Sequence, residues 1–432
     1  MKKIFGLLLL TATAFQCSDL CTLTNTYYYS VPEYMSFADL RSSVKPEAPR
    51  ELSHAGKIYF KDDFLYITEV GEGIHVIDNR NPSKPVHKSF IRIPGNNDLA
   101  IFGNVLYADS YVDLVAIDVS TPGQEREVTR YNNMFNSYSD MHLTADPDKG
   151  VIVKFNVAEQ KTIRNECSGI GAAVDGWGYY GGGILMNESA YASSIKYNAI
   201  ADAGASSGTT SGVGGSMARF TITSDRLYVL NGYKLNTIDI TDPSTINLKS
   251  STQVAGDIET IFPYKENLFL GSRTGMYILG LDNPDEPNQI SMFSHLKSCD
   301  PVVVEGDYAY VTLRSANTCN GTINELQVID VSKVTNPRLV RTYQMTNPHG
   351  LGIDNGTLFI CDGDDGLKVY DATDVNRISD NMTAHYDDIH AFDVIPFNNI
   401  AMLIGEDGLY QYDYSDIHHI KLLSKFYFEP RE

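Results

Sequence analysis

The chain has 432 residues, 43% apolar and 11% aromatic, with 27 tyrosines against a single tryptophan. That is ample material for a large core, and the tyrosine excess favours strands. Thirty-four Lys and Arg against 54 Asp and Glu leave a net charge of −20. This balance repels phosphate backbones and argues against nucleic acid as a partner, while neutral glycans, cationic ligands and metal ions stay open.

The N-terminus reads as an export signal over residues 1–16. Lys2 and Lys3 precede an apolar run from Ile4 to Phe15, too short for a membrane span and the right length for a signal-peptide core. Cys17 stands where a lipoprotein signal places its lipidated cysteine, so the chain is expected to reach the outer membrane on a lipid anchor, on the periplasmic or surface side. The small-x-small run Ala12-Thr13-Ala14 offers the alternative, cleavage to a soluble periplasmic protein. Residues 17–53 then form a tether and entry segment.

From residue 54 to 428 one pattern recurs: an aromatic-apolar strand, a short polar loop, then an alternating strand ending in Asp. It appears as Leu65-Tyr66-Ile67 with Ile74 to Asp78, and as Leu106-Tyr107-Ala108 with Leu114 to Asp118. Further copies end at Asp239, Asp330, Asp371 and Asp413, with a weaker one around Leu268-Phe269-Leu270 and Met276 to Leu279. From Asp78 to Asp118 is 40 residues, from Asp330 to Asp371 is 41 and from Asp371 to Asp413 is 42. Turns such as Ser120-Thr121-Pro122 and Thr241-Asp242-Pro243 follow the aspartates, where Pro fixes φ and the Asp caps the turn. Four strands per period of about 40 residues is the signature of a propeller blade. The fold is therefore all-β, a single β-propeller. Counting a degraded third copy at Met141–Thr144 and Val151–Val157 gives eight four-stranded repeats; without it there are seven.

The Asp-terminated strand resembles the motif that names the LVIVD repeat. Tyr34-Met35-Ser36-Phe37, Arg41-Ser42-Ser43-Val44-Lys45, Ser298-Cys299-Asp300-Pro301 and Asn347-Pro348-His349-Gly350 are similar to the Bacteroidota lipoprotein branch of that family. The resemblance implies a propeller and export; it implies no reaction.

In a propeller, the loop entering the innermost strand and the loop joining the second and third strands open on one face. Two loops there are predicted to be long, Arg314 to Asn324 and an insertion over residues 158–216. The insertion holds Trp177, Tyr179 and Tyr180 in a Gly-rich stretch, an aromatic lid able to stack on a ligand, followed by a Gly/Ser/Ala/Thr run from Ala199 to Ser216. The equivalent starts of the innermost strands carry Asp98, His142, Glu259, Asp300, His349 and His390, with His54 near the same point of the first copy. Such a ring can bind a polar ligand. His142, His349, His390 and Asp300 can also hold a divalent metal ion, the one cofactor the sequence suggests. The bland reading is a wet channel mouth that tolerates polar side chains.

Cys299 and Cys319 fall in one copy and are candidates for a disulfide, with Cys361 a competing partner. Asp362-Gly363-Asp364-Asp365-Gly366 lacks the ligand spacing of a calcium loop. No catalytic motif emerges. The expected function is a binding module for a glycan, a peptide or an envelope protein, more naturally a binder than an enzyme. The alternative is a metal-assisted hydrolase or lyase using the His/Asp/Glu ring.

Overall fold

The computed structural model describes residues 23–138, 143–164, 202–203, 211–216, 218–254, 258–295, 301–315 and 323–427. Seven antiparallel sheets follow one another in the sequence, six of four strands and the first with its four blade strands inside a seven-stranded sheet. Their first strands, in order, are Ala55–Lys61, Leu99–Phe102, Phe220–Thr223, Ile258–Tyr264, Val302–Glu305, Leu351–Asp354 and Ala391–Phe397. Each of these strands contacts the next, and the seventh contacts the first, so they line a closed ring about one axis. The protein is a seven-bladed β-propeller.

The local sequence explains the blade. Second and third strands such as Val105–Ser110 and Asp113–Asp118 are buried along nearly their whole length, because blades stack face to face and cover both sides. This is why the sequence shows continuous runs such as Leu114-Val115-Ala116-Ile117. The outermost strand is half exposed and alternates, as in Asn247–Gln253. In all seven blades the third and fourth strands pair with a register shift near the end of the third strand, a bulge that adds twist where the blade widens.

The terminal aspartates cap turns. Carboxylate oxygens of Asp118, Asp239, Asp330, Asp371 and Asp413 each accept the backbone N–H two residues on, at 2.9–3.1 Å. Thr241, Ser332 and Thr373 add hydroxyl donors to the same oxygens. In blades 3, 6 and 7 a second aspartate three residues later does the same for the next turn, as Asp242, Asp374 and Asp416 show. The repeat thus specifies its own turns.

The expected eighth repeat is not a blade. Val151–Arg164 pairs with Leu23–Met35 in a separate two-stranded sheet. Its alternation reads as a strand, but Val157 is exposed and the segment lacks the buried second and third strands of a blade. The long insertion therefore joins blade 2 to blade 3 and is not a loop inside a blade. By chain contacts, residues up to Glu33 with Ile152–Tyr197 form one unit, and the propeller forms the other. No helix among the described residues is long and apolar enough to cross a membrane.

The axis of the ring is filled. Val213–Ser216 runs inside it and pairs antiparallel with the innermost strand of blade 1, Val213 opposite Phe60 and Gly214 opposite Tyr59. On its other side it pairs with Asp202–Ala203. Gly212 is required here, since a Cβ would stand 2.3 Å from the Tyr59 ring and 2.7 Å from the Phe60 carbonyl. The Gly/Ser composition of this stretch thus fits a narrow space.

Candidate functional site at the channel mouth

The mouth is the end at which the innermost strands begin. Acidic side chains at the matching ends of second strands hold the entering turns. Asp109 accepts the N–H groups of Asn97 and Asp98 at 2.8 and 2.9 Å, and Asp362 accepts those of Thr346 and Asn347 at 3.1 and 2.7 Å. Glu69 does the same for blade 1 through Ser53, whose hydroxyl donates at 2.5 Å. Burial pushes the Asp109 carboxyl up in pKa, opposed by those two N–H groups. Burial likewise opposes ionisation of Glu69, yet hydrogen bonds from His75, Ser53 and Arg50 prevail and bring it down to about 2. These acids hold the turns that enter the innermost strands.

Asp98 lies just before the innermost strand of blade 2 and is almost fully buried. One oxygen accepts the Leu99 N–H at 2.7 Å; the other takes the Lys57 ammonium at 3.1 Å and the Arg219 N–H at 2.7 Å. Its carboxylate is committed to structure, tying blades 1, 2 and 3 together. The expectation that it serves a ligand finds no geometric support.

Blades 4 to 7 bring further polar side chains to the mouth. Glu259 of blade 4 accepts Arg273 Nε at 3.0 Å. Arg314, at the end of the second strand of blade 5, is 7% exposed. Burial holds its guanidinium below the usual pKa range, against the pull of Glu259. His349, two residues before the innermost strand of blade 6, is also 7% exposed. Burial, reinforced by the Arg314 and His390 charges, pushes its imidazole down to about 3, so it is neutral at physiological pH. The Asn347 amide donates to His349 Nε2 at 3.3 Å, which places the proton on Nδ1, and Nδ1 has no partner among the described residues. Gly363, at φ +60°, makes room for this pair: a Cβ there would stand 2.8 Å from the Asn347 amide nitrogen.

His390, just before the innermost strand of blade 7, faces His349 with ring centroids 6.4 Å apart. Phe392 packs against both rings, at 5.5 and 4.9 Å. His390 Nδ1 meets Asp364 at 2.6 Å and Glu406 at 3.5 Å. The structure thus brings His349 and His390 together and reaches Glu259 through Arg314. His142, Asp300, Trp177, Tyr179, Tyr180, Cys17, Cys299 and Cys319 lie outside the described residues. Cys361 is a buried free thiol.

Among the described residues no three His, Cys, Asp or Glu side chains are grouped to hold a metal ion. In the Asp362–Gly366 loop the Lys368 ammonium sits 2.5 Å from both Asp362 and Asp365, where a cation would otherwise be placed. Sequence reasoning missed Arg314, Asn347, Asp364 and Glu406. Arg314 carried a signal, a lone cation ending the apolar strand Tyr308–Leu313. Asn347 and Asp364 stand in runs singled out for other reasons, Asn347-Pro348-His349-Gly350 and Asp362–Gly366, and Glu406 sits in a loop with no pattern.

Comparison with known proteins agrees with the repeat. The model of the LVIVD repeat matches residues 53–91, 96–133 and 297–345. The matched stretches cover blade 1, blade 2 and blade 5. No curated protein matches the chain in sequence. Among solved structures, the chain is similar to the computationally designed Ika8 protein, at 9% identity and TM-score 0.49 over 88% of this chain and 90% of that one. It is similar to PorZ, a surface component of the type-IX secretion system of Porphyromonas gingivalis, at 11% identity and TM-score 0.47 over 87% of this chain and 39% of that one. BamB from Moraxella catarrhalis follows at 10% identity and TM-score 0.45, over 89% and 92%.

Proposed function

We propose that this LVIVD-repeat propeller is an exported, lipid-anchored binding protein of the cell envelope, which takes a polar ligand at the channel mouth over blades 4 to 7. The observation that carries the reading is the His349–His390 pair beside the buried Arg314, with Asp364 and Glu406 at its rim. A neutral imidazole, a desolvated cation and carboxylate-held His390 offer donors and acceptors beside the Phe392 ring, a combination suited to a polar ligand. The axial strand closes the channel beneath, so the ligand approaches from the mouth side. A glycan or a peptide of an envelope partner fits this chemistry. Export and anchoring rest on the Lys2-Lys3 apolar leader and Cys17.

The test is a glycan and peptide array probed with the purified chain and with His390→Ala. His390 is part-exposed, so its removal leaves the core intact. Hits weakened at least tenfold by the substitution support the reading; hits of equal strength on both proteins overturn it. Stoichiometric divalent metal in the purified chain, lost in His349→Ala, would favour the metal-assisted hydrolase or lyase instead.

A further inference from the structure

The ring has a seam. Blade 1 is built wholly from Ala55–Arg92 with an added outer strand at Lys45–Glu47, and blade 7 wholly from Ala391–Tyr427. Among the described residues no strand is shared between the first and last blades, so the blades themselves meet there through side chains, such as the Asn79–Gln411 amide pair and the Ser424 hydroxyl on the Pro82 carbonyl. The axial segment lies at this seam. Val213 and Gly214 pair with the inner edge of blade 1, and the same strand contacts the innermost strands of blades 7 and 6. Val213 is buried in a cluster that holds Ile58, Ile67 and Ile77 of blade 1 with Ile395, Met402, Ile404 and Leu409 of blade 7.

Polar groups of the segment reach blades 2, 4 and 6. The Gly212 N–H donates to the Ile101 carbonyl of blade 2 at 3.2 Å. The Ser216 hydroxyl accepts the Leu351 N–H of blade 6 at 2.8 Å. The Ala218 carbonyl accepts the Ile261 N–H of blade 4 at 2.7 Å, and the Arg219 N–H reaches Asp98 of blade 2. A filler that only excluded water would need no such set of directed bonds.

We propose that Ser211–Ser216 with Ala218 and Arg219 is the latch of the propeller: a strand, delivered by the insertion, that binds the inner edge of blade 1 and fastens the seam to blade 7. It does along the axis what a shared blade would do at the rim. This inference is independent of what binds at the mouth.

Hydrogen–deuterium exchange on the full chain tests it. Val213→Asp puts a charge into the seam cluster. The latch predicts at least tenfold faster exchange for amides of Ile58–Phe60 and Val394–Ile395, with amides of Ala309–Val311 in blade 5 within twofold of the parent. As a control, Val303→Ala in the core of blade 5 speeds exchange in its own blade and leaves the seam as it was. Should Val213→Asp give no folded chain, Val213→Ala and Ser216→Ala are read the same way, with at least threefold faster exchange expected at the seam. Unchanged exchange at the seam, or an equal rise in blade 5, overturns the proposal.

Discussion

Asn79 and Gln411, 332 residues apart, exchange two amide hydrogen bonds of 2.8 and 2.7 Å across the junction of the first and last blades. Gln411 is fully buried and donates further to the Pro82 carbonyl at 3.2 Å. Gln411→Ala leaves the Asn79 amide buried without either partner, a loss of about 2–3 kcal/mol. Urea denaturation of the variant checks this; a loss under about 0.5 kcal/mol would show that the junction tolerates the missing pair.

Asp113 holds the entry helix, Phe37–Ser42, onto blade 2. The carboxylate is buried and takes Arg41 at 2.9 Å, Arg130 at 3.1 Å and the Asn133 N–H at 2.8 Å. Asp113→Ala leaves the buried Arg130 with Glu127 alone, at 2.6 Å, takes the acceptor from the Asn133 N–H, and is expected to cost about 2 kcal/mol. Arg41→Ala removes only the half-exposed partner and is expected to cost about 1 kcal/mol or less. Paired thermal melts of the two variants give the ranking.

Acid destabilises the folded chain through its buried histidines. His87 contacts His75 at 3.2 Å, and burial with the His75 charge brings its pKa down to about 4; His349 lies at about 3. Both folded values lie below the unfolded value near 6.5, so the folded chain binds fewer protons. Their stabilising contribution is complete above about pH 6.5 and drains away as pH falls through 6.5 towards 4 and 3. Glu69, lowered to about 2, acts later: its contribution is lost only below about pH 4.5. Melting temperature should therefore fall between pH 7 and 5, with each histidine worth about 1–2 kcal/mol by pH 5. His87→Gln and His349→Gln should each flatten the slope; an unchanged slope in both would contradict the assignment.

The turn-capping aspartates act locally. Asp330→Ala and Asp371→Ala each remove an acceptor from a backbone N–H and a hydroxyl, at about 1 kcal/mol apiece. Because the two turns are in separate blades, the double variant should lose the sum within about 0.5 kcal/mol. Denaturation of the three variants measures this.

The blades were legible in the sequence because their physics is local. An apolar run buried on both faces, an Asp-capped turn and a 40-residue spacing recur without reference to distant residues. The false third copy arose from the same logic: Val151–Val157 alternates like a strand, but its partner is Leu23–Met35, far away in the chain. The axial strand was invisible for the opposite reason. Gly212, Gly214 and Gly215 leave no apolar pattern, since the channel selects them for small size. At the mouth, position along the repeat singled out His349, His390 and Glu259. It also singled out Asp98, whose carboxylate serves Lys57 and Arg219. Which polar side chain faces a ligand and which holds a turn depends on loops, where Arg314, Asp364 and Glu406 come from.

A crystal structure of the chain with its strongest array ligand tests the binding account most directly. The account predicts ligand density at the mouth, within hydrogen-bonding distance of His390 or Asp364 and above the axial strand. Density confined to the outer rim of the blades or the opposite face, with the mouth empty, would contradict it.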